Sequence, residues 1–145
     1  VYRPHPSDFY SNDVLKISHL FKLNKSFIVD RSSNYNYHYK TSKLLITDLS
    51  GTSYTYALLT NNPVIFFSKN ESYISNKTYY KRLNFFKNRV KIGEILKNEN
   101  NLLYTLKKVE KKRNLYKRNI GEIRRSIKNR GTTKEKLLKL IYSLS

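Results

Sequence analysis

Two short segments of the chain carry side chains suited to phosphate chemistry. Ser50-Gly51-Thr52-Ser53 sets three hydroxyls around a glycine, directly after the apolar run Leu44-Leu45-Ile46-Thr47 and before a stretch that reads as a helix. A strand entering a helix through such a turn leaves backbone N–H groups exposed at the positive end of the helix dipole, a geometry that binds phosphate. Gly51 would let an anion approach the backbone, and Ser50, Thr52 and Ser53 offer hydroxyl donors. The plainer use of the same turn is Ser50 or Thr52 as a helix cap. The second segment is Arg3-Pro4-His5-Pro6. A protonated His5 would stabilise charge on a departing phosphate, and a neutral one would accept a hydroxyl proton. Arg3 can pair with a diphosphate or with Asp30. Asp48 can orient the phosphate loop or simply cap the turn.

These residues need elements to hold them. Val1-Tyr2 reads as a strand end, closed by Pro4 and Pro6. Ser11 or Asn12 can cap a helix running to about Leu23. Ser26 to Asp30, Leu44 to Thr47 and Pro63 to Phe67 read as buried strands by length and branching, with Tyr37 to Ser42 and Thr52 to Thr60 as short helices. No hairpin turn joins the strands, so they are expected to pair in parallel, with helices on both faces of an open α/β sheet. Ligands of such sheets bind beyond the carboxyl ends of the strands, where Arg3, His5, Asp30, Thr47 to Ser53 and Ser68 to Glu71 fall. Farther on, Val90-Lys91-Ile92-Gly93 suggests a short edge strand or turn. A long amphipathic helix is expected to follow, with apolar residues from Leu102 to Ile127 spaced by threes and fours and Arg113 in one apolar place. Thr132 and Glu135 form a capping box for a last helix.

At 145 residues, with 39% hydrophobic and 14% aromatic residues, the chain has material for one core. It holds no Cys and three scattered His, which excludes a disulfide framework and the common zinc motifs. Its start lacks a signal-peptide layout and no apolar run reaches membrane-spanning length, so a cytosolic setting is expected. Because it begins with Val inside an apparent strand, a preceding segment is also expected. Lys and Arg number 29 against 10 acids, a formal charge of +19. Such a field recruits polyanions without naming one, and AT-rich coding bias would produce the same excess. The cations are densest from Lys107 to Arg130, where the apolar stripe would pack on the body and the charged face meet solvent or an anionic membrane. His19 reads as a surface or core residue. His38, among Tyr35, Tyr37 and Tyr39, reads as packing or as a base-stacking ring.

The stretch Ile46-Thr47-Asp48-Leu49-Ser50-Gly51 onward to Pro63-Val64-Ile65-Phe66-Phe67, together with Tyr2-Arg3-Pro4-His5-Pro6-Ser7-Asp8, resembles the carboxyl-terminal half of GT-B fold transferases. It is most similar to the CDP-glycerol glycerophosphotransferases of teichoic-acid synthesis and related capsule glycosyltransferases, which read roughly RPHP, then LLITDYSS, a helix and KPVIFY. The resemblance covers about Tyr2 to Ser68 and extends loosely through Lys91-Ile92-Gly93 and Gly131 to Lys134.

The fold it implies is a partial Rossmann-like open parallel sheet, with a nucleotide-diphosphate-binding domain over residues 1–104 and basic helices over 105–145. The activity it implies is transfer of a sugar or polyol phosphate from a CDP- or UDP-linked donor to a cell-surface polymer or lipid-linked acceptor, held by a preceding domain and reached at the inner membrane face. By position, Ser50, Gly51, Thr52 and Ser53 fall to the donor diphosphate and His5 to the reacting centre, and Arg3 and Asp48 join the diphosphate residues on their own chemistry. Many of these enzymes hold the ribose through an acid in the helix before the Pro-Val-Ile strand. That place is Tyr56 here, with Glu71 as a substitute. No cofactor or metal is expected, since such enzymes neutralise the diphosphate with helix dipoles and basic side chains. The isolated chain is expected to be inactive without its acceptor half. The competing readings are a non-enzymatic nucleic-acid-binding domain built on the basic helix and the Tyr rings, for which no usual recognition signature is present, and a non-catalytic nucleotide sensor or degenerate transferase.

Overall fold

A computed structural model of the chain describes residues 1–32, 34, 36–48, 50–127 and 135. It divides into two units, Val1–Ser42 and Lys43–Ser145.

In the second unit three short strands form one parallel sheet: β1 (Leu45–Thr47), β2 (Val64–Phe67) and β3 (Gly93–Leu96), in the order β1-β2-β3. Leu45 pairs with Val64 and Thr47 with Phe66, while Val64 pairs with Gly93 and Phe67 with Leu96. The central strand is covered on both faces, which explains its unbroken apolar run: Val64, Ile65 and Phe66 are fully buried. β1 lies at an edge and leaves Ile46 exposed. The expected open α/β sheet followed by helices is therefore the observed architecture.

The chain reaches β2 from β1 through α3 (Gly51–Thr60), a helix stopped at Asn61, whose left-handed φ of 57° and backbone N–H to Ala57 O (2.9 Å) end it one residue before Asn62-Pro63. Tyr56 and Ala57 anchor α3 in the core. Between β2 and β3 lie α4 (Glu71–Asn76), α5 (Thr78–Arg82) and α6 (Asn84–Ile92). This corrects the reading of Val90 to Gly93 as an edge strand or turn: the helix persists to Ile92 and the strand begins at Gly93. The junction is tight, since a Cβ on Gly93 would meet Val64 O at 1.7 Å.

The long basic helix is two helices, α7 (Leu102–Lys111) and α8 (Arg113–Ser126). The break falls at Lys112, immediately before the charged residue in the apolar stripe. Arg113 opens α8, where its guanidinium pairs with Glu110 at 2.6 Å and donates to Lys43 O at 3.1 Å. The stripe packs inward as expected, burying Val109, Tyr116 and Ile120. Glu94 of β3 fastens both helices through Lys108 (2.7 Å), Lys112 (3.1 Å) and the Tyr116 hydroxyl. Burial pushes the Glu94 carboxyl upward, but bonds from Lys108, Tyr116 and Lys112 outweigh it and hold the group below its ordinary value. Burial and this carboxylate together raise Tyr116 above the usual phenol range. The expected last helix from Thr132 lies outside the described residues, apart from Glu135, which is helical.

In the first unit, α1 (Asn12–Leu20) starts at Ser11, whose hydroxyl accepts from Val14 N at 3.3 Å, and ends three residues earlier than the sequence suggests. α2 spans Asn36–Thr41. The two expected strands contract to a single parallel bridge between Tyr2 and Val29, carried by Tyr2 N to Ile28 O (2.7 Å) and Asp30 N to Tyr2 O (2.9 Å). Pro4 and Pro6 deny further ladder bonds beyond Arg3.

Candidate functional site

In the second unit the chain leaves β1 through Asp48, whose carboxylate is exposed and takes a 3.3 Å hydrogen bond from the Thr47 hydroxyl. Ser50 N bonds back to Asp48 O at 3.0 Å, and Ser50 stands extended as the residue that caps α3. Its side chain makes no capping hydrogen bond. The expected plain use of Ser50 as a side-chain cap is thus not the one observed.

Gly51 and Thr52 begin the helix and are exposed, whereas Ser53 is fully buried. The Ser53 hydroxyl turns inward and donates to Ser50 O at 2.6 Å, bracing the turn from below. A Cβ built on Gly51 would meet nothing within 4 Å. No neighbouring group and no left-handed backbone requires glycine here, so its smallness opens the space over the first turn of the helix. The arrangement is a helix start without a side-chain cap and with open space at its first residue, which favours an anion.

A buried polar cluster stands at the carboxyl end of β2. Arg89 of α6 pairs with Glu71 at the start of α4, donates to Phe86 O (3.3 Å) and stacks on the Phe86 ring, 3.4 Å from its centroid. Ser75 donates to Glu71 Oε1 at 2.6 Å. Both charged side chains are less than a tenth exposed. Burial pushes the Tyr54 hydroxyl of α3 above the ordinary phenol range, against the opposing pull of the Arg89 cation. Ser68 Oγ and Arg89 Nε are buried without a hydrogen-bond partner. Of the two residues considered for the ribose, Tyr56 lies in the core at 0% exposure and Glu71 is committed to Arg89. Arg89 went unread in the sequence; its only signal was a cation beside Phe86 in an amphipathic helix.

In the first unit, Arg3 and Asp30 form the ion pair weighed from the sequence, at 2.5 Å. Arg3 also donates to Ser32 O at 2.6 Å, and His38 Nε2 lies 3.8 Å from the same Asp30 oxygen. Burial works to raise the Asp30 carboxyl, yet hydrogen bonds from Ser32 and the Arg3 partner bring it down to about 2. His5 is exposed and begins a short 3-10 turn, Pro6–Asp8. Its Nδ1 lies 2.7 Å from Ser7 Oγ and 3.3 Å from Ser7 N, and Ser7 Oγ donates to Asp8 Oδ1 at 2.9 Å. Ser7 and Asp8 received no role from the sequence, although they directly follow the His-Pro pair.

Among the described residues no group of three or more His, Asp or Glu is placed to hold a metal ion, and no helix is long and apolar enough to cross a membrane. The family model described as CDP-Glycerol:Poly(glycerophosphate) glycerophosphotransferase matches residues 1–143. No curated protein and no solved structure matches the chain.

Proposed function

Since the chain belongs to the CDP-glycerol:poly(glycerophosphate) glycerophosphotransferase family, a family of transferases, we propose that it supplies the donor-binding part of a GT-B enzyme that moves glycerophosphate from CDP-glycerol to a polymer or lipid-linked acceptor. The observation that supports this most is the start of α3: Gly51 and Thr52 exposed, no side-chain cap, and open space at the glycine. The donor pyrophosphate sits there, with the Ser50 and Thr52 hydroxyls as additional donors and Ser53 bracing the turn. Asp48 orients a donor hydroxyl at the same end of the sheet.

His5 is the acid–base residue of this reading, and Arg3 acts through the Asp30 pair that fixes the chain just before it. Tyr56 and Glu71 are engaged inside the protein and take no part in holding the donor ribose in this reading. Diphosphate neutralisation rests on the helix dipole and on cations, with no metal in the mechanism. The acceptor is held by a second domain, and the exposed cations Lys107, Lys111, Arg118 and Arg125 suit a peripheral position on the inner, anionic face of the cell membrane.

Isothermal titration with CDP-glycerol, a UDP-sugar and CMP tests the reading. Saturable binding of CDP-glycerol that is lost in Ser50→Ala/Thr52→Ala supports it. Wild-type affinity in that double variant overturns it.

A further inference from the structure

The end of α1 and the turn that follows it have the character of a membrane foothold, and we propose that Leu20 to Lys25 insert into the headgroup layer of an anionic bilayer. The inference rests on the peripheral membrane position given above and adds to it a contact in the first unit, separate from the cations of α7 and α8.

Large apolar side chains usually leave water on folding, yet in this segment several remain in it. Leu20 is 76% exposed and Leu23 94%, and Leu15, Phe21 and Ile28 are exposed as well. Scattered single leucines need no explanation, but a concentration of this kind marks an interaction surface.

The segment is a folded tip. Phe21 N bonds to Ile17 O at 3.2 Å, Lys22 N to His19 O at 3.2 Å, Asn24 N to Phe21 O at 2.9 Å and Phe27 N to Asn24 O at 2.9 Å. Ser26 N donates to Asn24 Oδ1 at 2.9 Å. At its base the Phe21 and Phe27 rings stack with centroids 4.3 Å apart, and Phe27 stacks on Tyr2 at 6.4 Å. Leu23 is thus held outward by ordered turns. Much of the tip's backbone is paired within the loop, which lowers the cost of entering a less aqueous layer.

Charge decides the occupant. From Val14 to Val29 the sequence has no acid, and Lys16, Lys22 and Lys25 are all exposed. The flanking acids are Asp13, in the first turn of α1, and Asp30, which is buried against Arg3. Lys22 and Lys25 bracket Leu23, so their stems can lie along the inserted side chain while the ammonium groups stay level with the lipid phosphates. A protein partner would have to surround a protruding leucine with a fitted cavity and an acidic rim. An anionic bilayer offers the negative surface and yields to whatever enters it. Salt screens the lysine attraction but leaves the apolar part in force.

The chain contains no tryptophan, so Leu23→Trp sets a single indole at the tip. With vesicles of mixed phosphatidylglycerol and phosphatidylcholine its emission should move to the blue and be quenched by lipids brominated on their acyl chains. Phosphatidylcholine alone should give much less of both. In cosedimentation, Leu20→Ser/Leu23→Ser should bind the anionic vesicles about tenfold or more weakly than the unmodified chain, because the apolar area of two leucines no longer leaves water. It should also lose the binding that survives high salt. Both positions are exposed, so the variants should fold. An indole that stays in water while the chain is bound, or undiminished binding by the double serine variant, overturns the foothold and leaves the α7 and α8 position standing. Failure of the unmodified chain to bind vesicles overturns both. An indole shielded by the acceptor domain and not by lipid overturns the membrane assignment in favour of a protein contact.

Discussion

Adding one methyl group at Gly51 separates binding from folding. The backbone there is helical and the space over it is empty to 4 Å, so the new Cβ in Gly51→Ala collides with nothing. Restricting the unfolded chain at a compatible site should raise stability by about 0.4–1 kcal/mol. The same methyl stands in the space through which a phosphate reaches the leading amides of α3. Losing one amide hydrogen bond to a charged group removes about 1.5–3 kcal/mol, or about 10- to 150-fold in affinity. Thermal unfolding and titration with CDP-glycerol, run on the same preparations, should therefore move in opposite directions. Gly93→Ala is the control. Its Cβ would fall 1.7 Å from Val64 O and 2.7 Å from Val64 C, so β2 and β3 must part at their first pair, and the second unit should lose stability outright. An undiminished donor affinity in Gly51→Ala would refute the reasoning, because no anion could then be sitting against that turn.

Three further outcomes follow from the packing. Arg89→Met strands the Glu71 carboxylate in a buried site and should cost about 3–5 kcal/mol in denaturant unfolding, most of it recovered when Glu71→Leu is added; an additive double variant would show the pair is not coupled. Glu94→Gln weakens the hold on Lys108, Lys112 and Tyr116 at once and should lower stability by about 1–3 kcal/mol, with amide exchange rising first in α7 and α8 and not in α1. The folded Asp30 carboxyl is depressed below its ordinary 3.8 to about 2. Its contribution is thus complete above the unfolded value and is lost as the pH falls from about 4 toward 2. Circular dichroism along an acid titration should show the first unit failing in that window, and Arg3→Met should move the failure to higher pH.

How much of this was legible depended on whether a residue's role was local. The passage from β1 through the Ser-Gly turn into α3 and β2 was readable because each step is signalled within a few positions: an apolar run, small polar residues, and Asn61-Asn62-Pro63 as a stop. β3 was misplaced because Glu94 interrupts its apolar pattern, and that carboxylate is explained only by cations far along the chain on α7 and α8. The break at Lys112 was hidden for a related reason, since Arg113 satisfies Lys43 O, a partner seventy positions away. The first two strands failed as a sheet because two prolines stop the pairing at once. At the candidate site, exposed Gly51 and Thr52 were readable as a helix start, but the inward turn of Ser53, the burial of Tyr56 and the pairing of Glu71 are facts of packing that no spacing announces.

Backbone amide spectra recorded during titration with CDP-glycerol interrogate the anion site itself. The Gly51 and Thr52 amides should shift first and saturate together with the binding isotherm, and CMP should shift them less. If CDP-glycerol binds while those two amides stay still, the donor phosphates lie elsewhere and the assignment of the β1–α3 turn is wrong.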